Sequence, residues 1–154
     1  EADEYVTDPD APNKNQDITP RFSFFKPQVT VCTNLEYDHP DVYQDFEHTK
    51  QVFAEFLKNL KQEGTLVFNA DNQALTEISQ KIQSELEQKN ITIKTYGKKE
   101  TADIRLLGYK VKEQRLIGTV DYKGNQQKLK LQIPGEFNLY NAMAAALTAE
   151  RAGG

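Results

Sequence analysis

Apolar residues along this chain recur with two spacings, and the change from one to the other outlines the fold. Between 46 and 61, Phe46, Phe53, Phe56, Leu57 and Leu60 share one stripe of a 3.6-residue helix, with Asp45 placed as its N-cap. Asn72 opens a second amphipathic helix whose stripe is Leu75, Ile78, Ile82 and Leu86. Strands are expected between and around these helices: residues 28–33, where Val29, Thr30, Val31 and Cys32 are apolar or small on both faces, then TLVFNA from 65 and ITIKTYG from 91. Short connections between alternating strands and helices predict parallel βαβ units in an α/β layer fold.

From about residue 102 the helical period disappears. ADIRLLGYKVK, QRLIGTVDYKG and QQKLKLQIPG read as three strands at hairpin spacing, with Lys123-Gly124-Asn125 as a turn. NLYNAMAAALTAERA then has the strongest helix propensity in the chain and ends at Gly153-Gly154, a helix terminator. Ahead of the first strand, residues 6–21 carry three prolines and little apolar content and read as an exposed loop, followed by a short helix or turn before Pro27. The expected organisation is one partial domain over 1–154: a βαβ portion to 101, antiparallel strands over 102–134, and a terminal helix over 135–154. The chain opens at the expected end of a strand and finishes one turn after the Ala-rich helix, which predicts a piece of a longer protein.

Composition narrows the function. Leu, Ile, Val and Phe total 37 of 154 residues, enough for a folded core, and 154 residues suit one domain. No apolar run reaches the length of a membrane span. One cysteine, Cys32, rules out an internal disulfide framework and a multi-cysteine zinc site, and reads as a buried thiol in a reducing compartment. Residues 1–47 hold 11 acids against 3 bases, whereas 48–154 hold 12 acids against 16 bases, the latter scattered along amphipathic segments. Nucleic-acid binders concentrate their basic residues, so none is expected as a ligand.

Two constellations carry candidate chemistry. EADEY at 1–5 and TNLEYDHPD at 33–41 bring acids and His39 to the carboxyl end of a strand, the edge where open α/β sheets bind ligands. A carboxylate and an imidazole there suit a divalent cation that keeps water and phosphate oxygens as its remaining ligands, although a hydrogen-bonded loop histidine fits the same residues. In GEFNLYNAMAAAL, Asn138 and Asn141 are three apart and share a helix face, where amides can meet a purine edge or simply cap the helix. His48 and Lys50 read as surface residues. There is no G-x-x-x-x-G-K-[ST] loop and no G-x-S-x-G elbow.

Taken in order, EADEY, TNLEYDHPDVY, the helix DFEHTKQVF, GTLVFNADN and GEFNLYNAMAAA resemble the landmarks of the central domain of the Mur ligase family. EADEY and DFEHTKQVF are most similar to its alanine-adding and tripeptide-adding branches. The resemblance implies a P-loop NTPase-like central domain lacking its N-terminal part, in which a mostly parallel sheet flanked by helices accompanies a small three-stranded antiparallel sheet. It also implies a cytoplasmic, ATP- and Mg2+-dependent ligase of peptidoglycan precursors. A carboxylate of a UDP-N-acetylmuramate-type nucleotide would be activated as an acyl phosphate and captured by an amino acid amine. By matched position, Glu1 and His39 would be magnesium ligands, Asn138 and Asn141 would meet the adenine of ATP, and Lys50 would lie near a lysine that some relatives carry as a carbamate. Phe137 departs from the Gly-x-His-Asn of many relatives and is more similar to the diaminopimelate- or lysine-adding branch, which blurs the amino acid specificity. Two other readings of the same residues are a non-catalytic nucleotide-binding module and a metal-dependent hydrolase using Glu1, Asp38 and His39.

Overall fold

The computed structural model describes residues 20–151. A short 3-10 turn at Arg21–Phe24 leads into β1 (Val29–Cys32), α1 (Phe46–Lys58), β2 (Thr65–Asn69), α2 (Gln73–Lys81), α3 (Gln83–Gln88) and β3 (Thr92–Gly97). Three further strands follow, β4 (Ile104–Lys112), β5 (Arg115–Tyr122) and β6 (Asn125–Leu131), and then α4 (Glu136–Arg151). All six strands form one sheet in chain order, with β1 to β4 parallel and β4 to β6 antiparallel. The antiparallel strands therefore extend the parallel sheet and do not stand apart from it. Their junction is short: β3 and β4 pair only through Tyr96 with Ile104 and Gly97 with Arg105.

The alternation of side chains along β2 separates two cores. Leu66 and Phe68 face α1, α2 and α3, where Cys32, Leu57, Leu60, Leu75, Ile78, Ile82 and Leu86 pack with them. Val67 faces the other way, toward Leu139, Met143, Ala144 and Leu147 of α4. Helices thus cover both faces of the parallel strands, which is why β2 is apolar without alternation and its first four residues are buried.

Local chemistry sets the element ends. Asp45 caps α1 by accepting from His48 N at 2.7 Å, and Asn72 caps α2 by accepting from Leu75 N at 2.9 Å. The expected second helix is divided at Ile82, whose backbone (φ −104°, ψ 15°) leaves the helical region without a side-chain cap. Its stripe stays continuous, because Leu75, Ile78, Ile82 and Leu86 are all buried. The expected turn is a two-residue hairpin loop, Lys123 and Gly124, both at positive φ between the paired Tyr122 and Asn125. The β4–β5 hairpin has the same loop geometry at Glu113 and Gln114 (φ 52° and 59°), with no glycine to signal it. The expected loop over 6–21, apart from its last two residues, and the Gly153-Gly154 terminator lie outside the described residues.

Candidate functional site at the carboxyl edge of the sheet

β1 to β3 run parallel, so the segments leaving them gather at one edge of the sheet. After β1 the chain continues through Thr33 and Asn34 to Asp38 and His39, then enters α1. His39 adopts φ 54°, and its carbonyl accepts from Val42 N and Tyr43 N, both at 2.9 Å. Asp38 Oδ1 accepts from His39 N at 2.8 Å, and its Oδ2 lies 3.9 Å from His39 Nε2. The imidazole is half-buried, whereas the Asp38 carboxylate is 84% exposed.

His39 lines a cleft of about 1060 Å³ that runs along β1, with Asn34 and Asp38 at its polar end and Phe22, Phe53 and Phe56 at its apolar end. On the α4 side of β1 a shallower hollow is lined by Asn141, Ala144, Ala145 and Thr148. Val31 and Thr33 line both. The tip of β1 thus brings His39 and Asn141 to adjoining hollows, although 102 residues separate them in sequence.

Asn138 lies one helical turn before Asn141 on α4. One N–H of its amide donates to Pro134 O, which anchors the side chain at the helix entry. Gly135 just before it has φ +98°, and a Cβ there would come within 2.5 Å of the Phe137 ring. Phe137 itself is 67% exposed. Glu1, the other expected magnesium ligand, lies outside the described residues, so its distance from His39 is not part of this geometry.

Lys50 is placed elsewhere. Its Nζ lies 2.7 Å from Glu47 Oε2 and 3.2 Å from Glu77 Oε2, and 5.6 Å above the Phe46 ring, so it bridges α1 to α2. It does not line the cleft that holds His39. Hydrogen bonds to Glu47 and then Glu77 raise its pKa above the ordinary lysine value. His48 is half-buried, its Nδ1 accepting from Gln44 N at 3.2 Å.

Three residues of the same edge were not singled out as site residues in the sequence. Asn72, besides capping α2, donates through Nδ2 to Asn34 Oδ1 and to Leu35 O, tying the loop after β1 to the start of α2. Asp71 accepts from Lys98 N, Lys99 N and Tyr140 Oη. Burial first, and then the hydrogen bond to Asp71, pushes the Tyr140 phenol above its usual range. The available signal was the polar run Asn69-Ala70-Asp71-Asn72 directly after a buried strand, where ligand-edge residues of α/β sheets cluster.

Among the described residues no three His, Cys, Asp or Glu side chains converge as a metal cluster. A magnesium ion, which keeps most of its ligands as water and phosphate oxygen, needs no such cluster and fits His39 beside Asp38. A nucleotide base fits the amides of Asn138 and Asn141, each offering donor and acceptor groups. Among the described residues no helix is long and apolar enough to cross a membrane.

The fold has relatives among known proteins. The model of the Mur ligase middle domain matches residues 14–149. Over 126 residues the chain is 36% identical to UDP-N-acetylmuramate–L-alanine ligase of Carboxydothermus hydrogenoformans, covering 80% of this chain and 26% of that protein. The chain therefore spans about a quarter of the length of that curated relative. Among solved structures, UDP-N-acetylmuramate:L-alanyl-gamma-D-glutamyl-meso-diaminopimelate ligase from Neisseria meningitides superposes with a TM-score of 0.71 at 24% identity, over 100% of this chain and 43% of that one. UDP-N-acetylmuramoylalanyl-D-glutamyl-2,6-diaminopimelate–D-alanyl-D-alanyl ligase from Acinetobacter baumannii gives 0.64 at 17% identity, over 84% and 26%. At these identities the solved structures share the fold.

Proposed function

Because this chain belongs to the Mur ligase family, through its middle domain, we propose that it is the nucleotide-handling part of an ATP-dependent ligase that joins a muramoyl carboxylate to L-alanine. The observation that carries this reading is the convergence of His39 and Asn141 on the two sides of the β1 tip. A triphosphate lying across that tip would have its base at α4 and its terminal phosphate at the loop after β1. The L-alanine assignment draws on the 36% identical relative that uses it.

The residues act by position and charge. Asn138 and Asn141 would hold the purine by paired amide hydrogen bonds. His39, fixed by its own backbone turn and by Asp38, would contribute a neutral nitrogen to a magnesium ion, with Glu1 as the partner carboxylate. That ion, when bound, offsets the negative charge of the terminal phosphate. The carboxylate oxygen forms a bond to the γ-phosphorus while the bond to ADP breaks; the amine nitrogen then bonds to the acyl carbon, phosphate leaves and the amine loses a proton. In such transfers the protein's contribution is alignment and electrostatic stabilisation.

The test uses the full-length parent protein, its ATP-dependent phosphate release followed with UDP-N-acetylmuramate and single amino acids. L-alanine is expected to support release and the other amino acids are not. His39→Ala should lower turnover by at least about tenfold at limiting magnesium and recover in part as magnesium rises. Wild-type rates for that variant across the whole titration would remove the metal role, and release that ignores every amino acid would remove the ligase reading. A second substrate, the L-alanyl-γ-D-glutamyl-meso-diaminopimelate tripeptide, is worth the same assay. The structure that takes it superposes over the whole of this chain, and activity with tripeptide but not alanine would reassign the incoming amine.

A further inference from the structure

Asp71 lies two residues beyond the end of β2 at the same edge, and nothing in the proposed chemistry uses it. Its two oxygens take three hydrogen bonds, from Lys98 N at 2.7 Å and Lys99 N at 3.1 Å in the turn after β3, and from Tyr140 Oη at 2.8 Å in α4. The turn closes over the carboxylate because Gly97 (φ +152°) has no side chain: a Cβ there would lie 2.8 Å from Asp71 Cγ and from both oxygens. Lys98 of that turn also pairs with Glu136 in the first turn of α4. The Tyr140 ring stands edge-on to Tyr96 of β3, with centroids 6.2 Å apart. One carboxylate therefore joins two strand ends to the start of a helix.

We propose that Asp71 is a positioning residue for nucleotide recognition: through Tyr140 it sets the rotation of α4, and so the direction in which Asn138 and Asn141 present their amides. This rests on the reading that those amides meet the purine. Tyr140 lies between the two asparagines, and each helical residue turns the side-chain direction by about 100°, so a rotation that displaces one displaces the others. The packing of α4 does not depend on the hydroxyl. Leu139, Met143, Ala144 and Leu147 bury the helix against the sheet, and Gly118 lets Leu139 approach closely. Apolar packing is tolerant of small rotations, whereas hydrogen bonds to a base edge are directional. Loss of the Asp71–Tyr140 bond should therefore leave a folded protein whose base-reading amides are less well aimed.

The experiment uses the full-length protein with Tyr140→Phe, Asp71→Asn and the reference variant Asn141→Ala, measuring kcat and KM with ATP and with GTP, and the thermal midpoint. Tyr140→Phe is expected to raise KM for ATP about fivefold, the scale of one hydrogen bond, with kcat within about twofold. The ATP-over-GTP preference should fall by a similar factor. Asp71→Asn should do at least as much, and Tyr140→Phe should add less in the Asn141→Ala background than in the wild type. If Asp71→Asn does not fold, Tyr140→Phe alone decides. If Asn141→Ala raises KM for ATP while Tyr140→Phe does not, or if Tyr140→Phe impairs ATP and GTP equally, the positioning role is overturned and the purine reading stands. If Asn141→Ala itself leaves KM and base preference unchanged, the purine reading falls and the positioning role falls with it.

Discussion

At Lys50 the fold favours one state of an amine. Carbamate formation needs the neutral amine, whereas Glu47 and Glu77 stabilise the ammonium and would repel a carbamate anion. Lys50→Met in the full-length protein is accordingly expected to keep kcat within about threefold and to leave the thermal midpoint nearly unchanged, because surface ion pairs contribute little. A loss of kcat beyond about a hundredfold, with normal folding, would return the residue to the chemistry. Backbone strain is a second single-residue effect. Gln114 holds φ 59° in the β4–β5 hairpin loop, a conformation that costs most side chains about 1 kcal/mol and glycine almost nothing. Gln114→Gly should therefore raise the unfolding free energy only slightly, by no more than about 0.5 kcal/mol once the added entropy of the unfolded chain is subtracted, and move the midpoint up. An unchanged or lower midpoint in urea would show that the loop is not strained there.

The elements themselves were readable wherever a side chain declared the boundary. Asp45 and Asn72 cap α1 and α2 as their positions predict, and the Lys123-Gly124 turn joins β5 to β6 as expected. Where the boundary has no side-chain signature the sequence is silent, as at Ile82, which divides one apolar stripe between two helices. Asn72 shows how an element end becomes part of a site. Its Oδ1 caps α2 while its Nδ2 holds Asn34 and the Leu35 carbonyl in the loop that leads to His39. Replacing a cap by Ala costs about 1 kcal/mol. Asn72→Ala should cost more, about 2 kcal/mol in equilibrium unfolding, because a buried carbonyl also loses its donor. A cost no larger than that of Asp45→Ala would show that the loop contact contributes nothing.

Across the whole molecule, α4 is the piece that joins the parallel and antiparallel halves, held at its start by Asp71 and Lys98 and at its end by Glu150. Glu150 meets Tyr122 at 2.6 Å and Lys123 at 2.7 Å on the β5–β6 hairpin. Hydrogen bonds to Lys123 and then Tyr122 lower its carboxyl from 4.5 to about 2. A folded-state pKa below the unfolded one means that the stabilisation is complete above about pH 4.5 and lost as pH falls toward 2. The stability difference between wild type and Glu150→Gln should therefore be constant from pH 7 to 5 and shrink between pH 4.5 and 2. A difference that does not vary over that range would assign the pair no role in acid unfolding.

Periodicity, caps and turn residues are local, and they sufficed to establish the alternation of strands and helices, the change to hairpins after residue 102 and the final helix. The ordered landmarks from TNLEYDHPDVY to GEFNLYNAMAAA were enough to place the chain in its family, because each is a short run whose residue types are legible without neighbours. The sequence left undecided which residues of different elements meet. It did not reveal that the antiparallel strands continue the parallel sheet, that Lys50 faces Glu77, or that Asp71 receives Tyr140 from 69 positions away. Those meetings follow from the register of β2 on β3 and the seating of α4 on the sheet, which many apolar contacts decide together and no single residue announces.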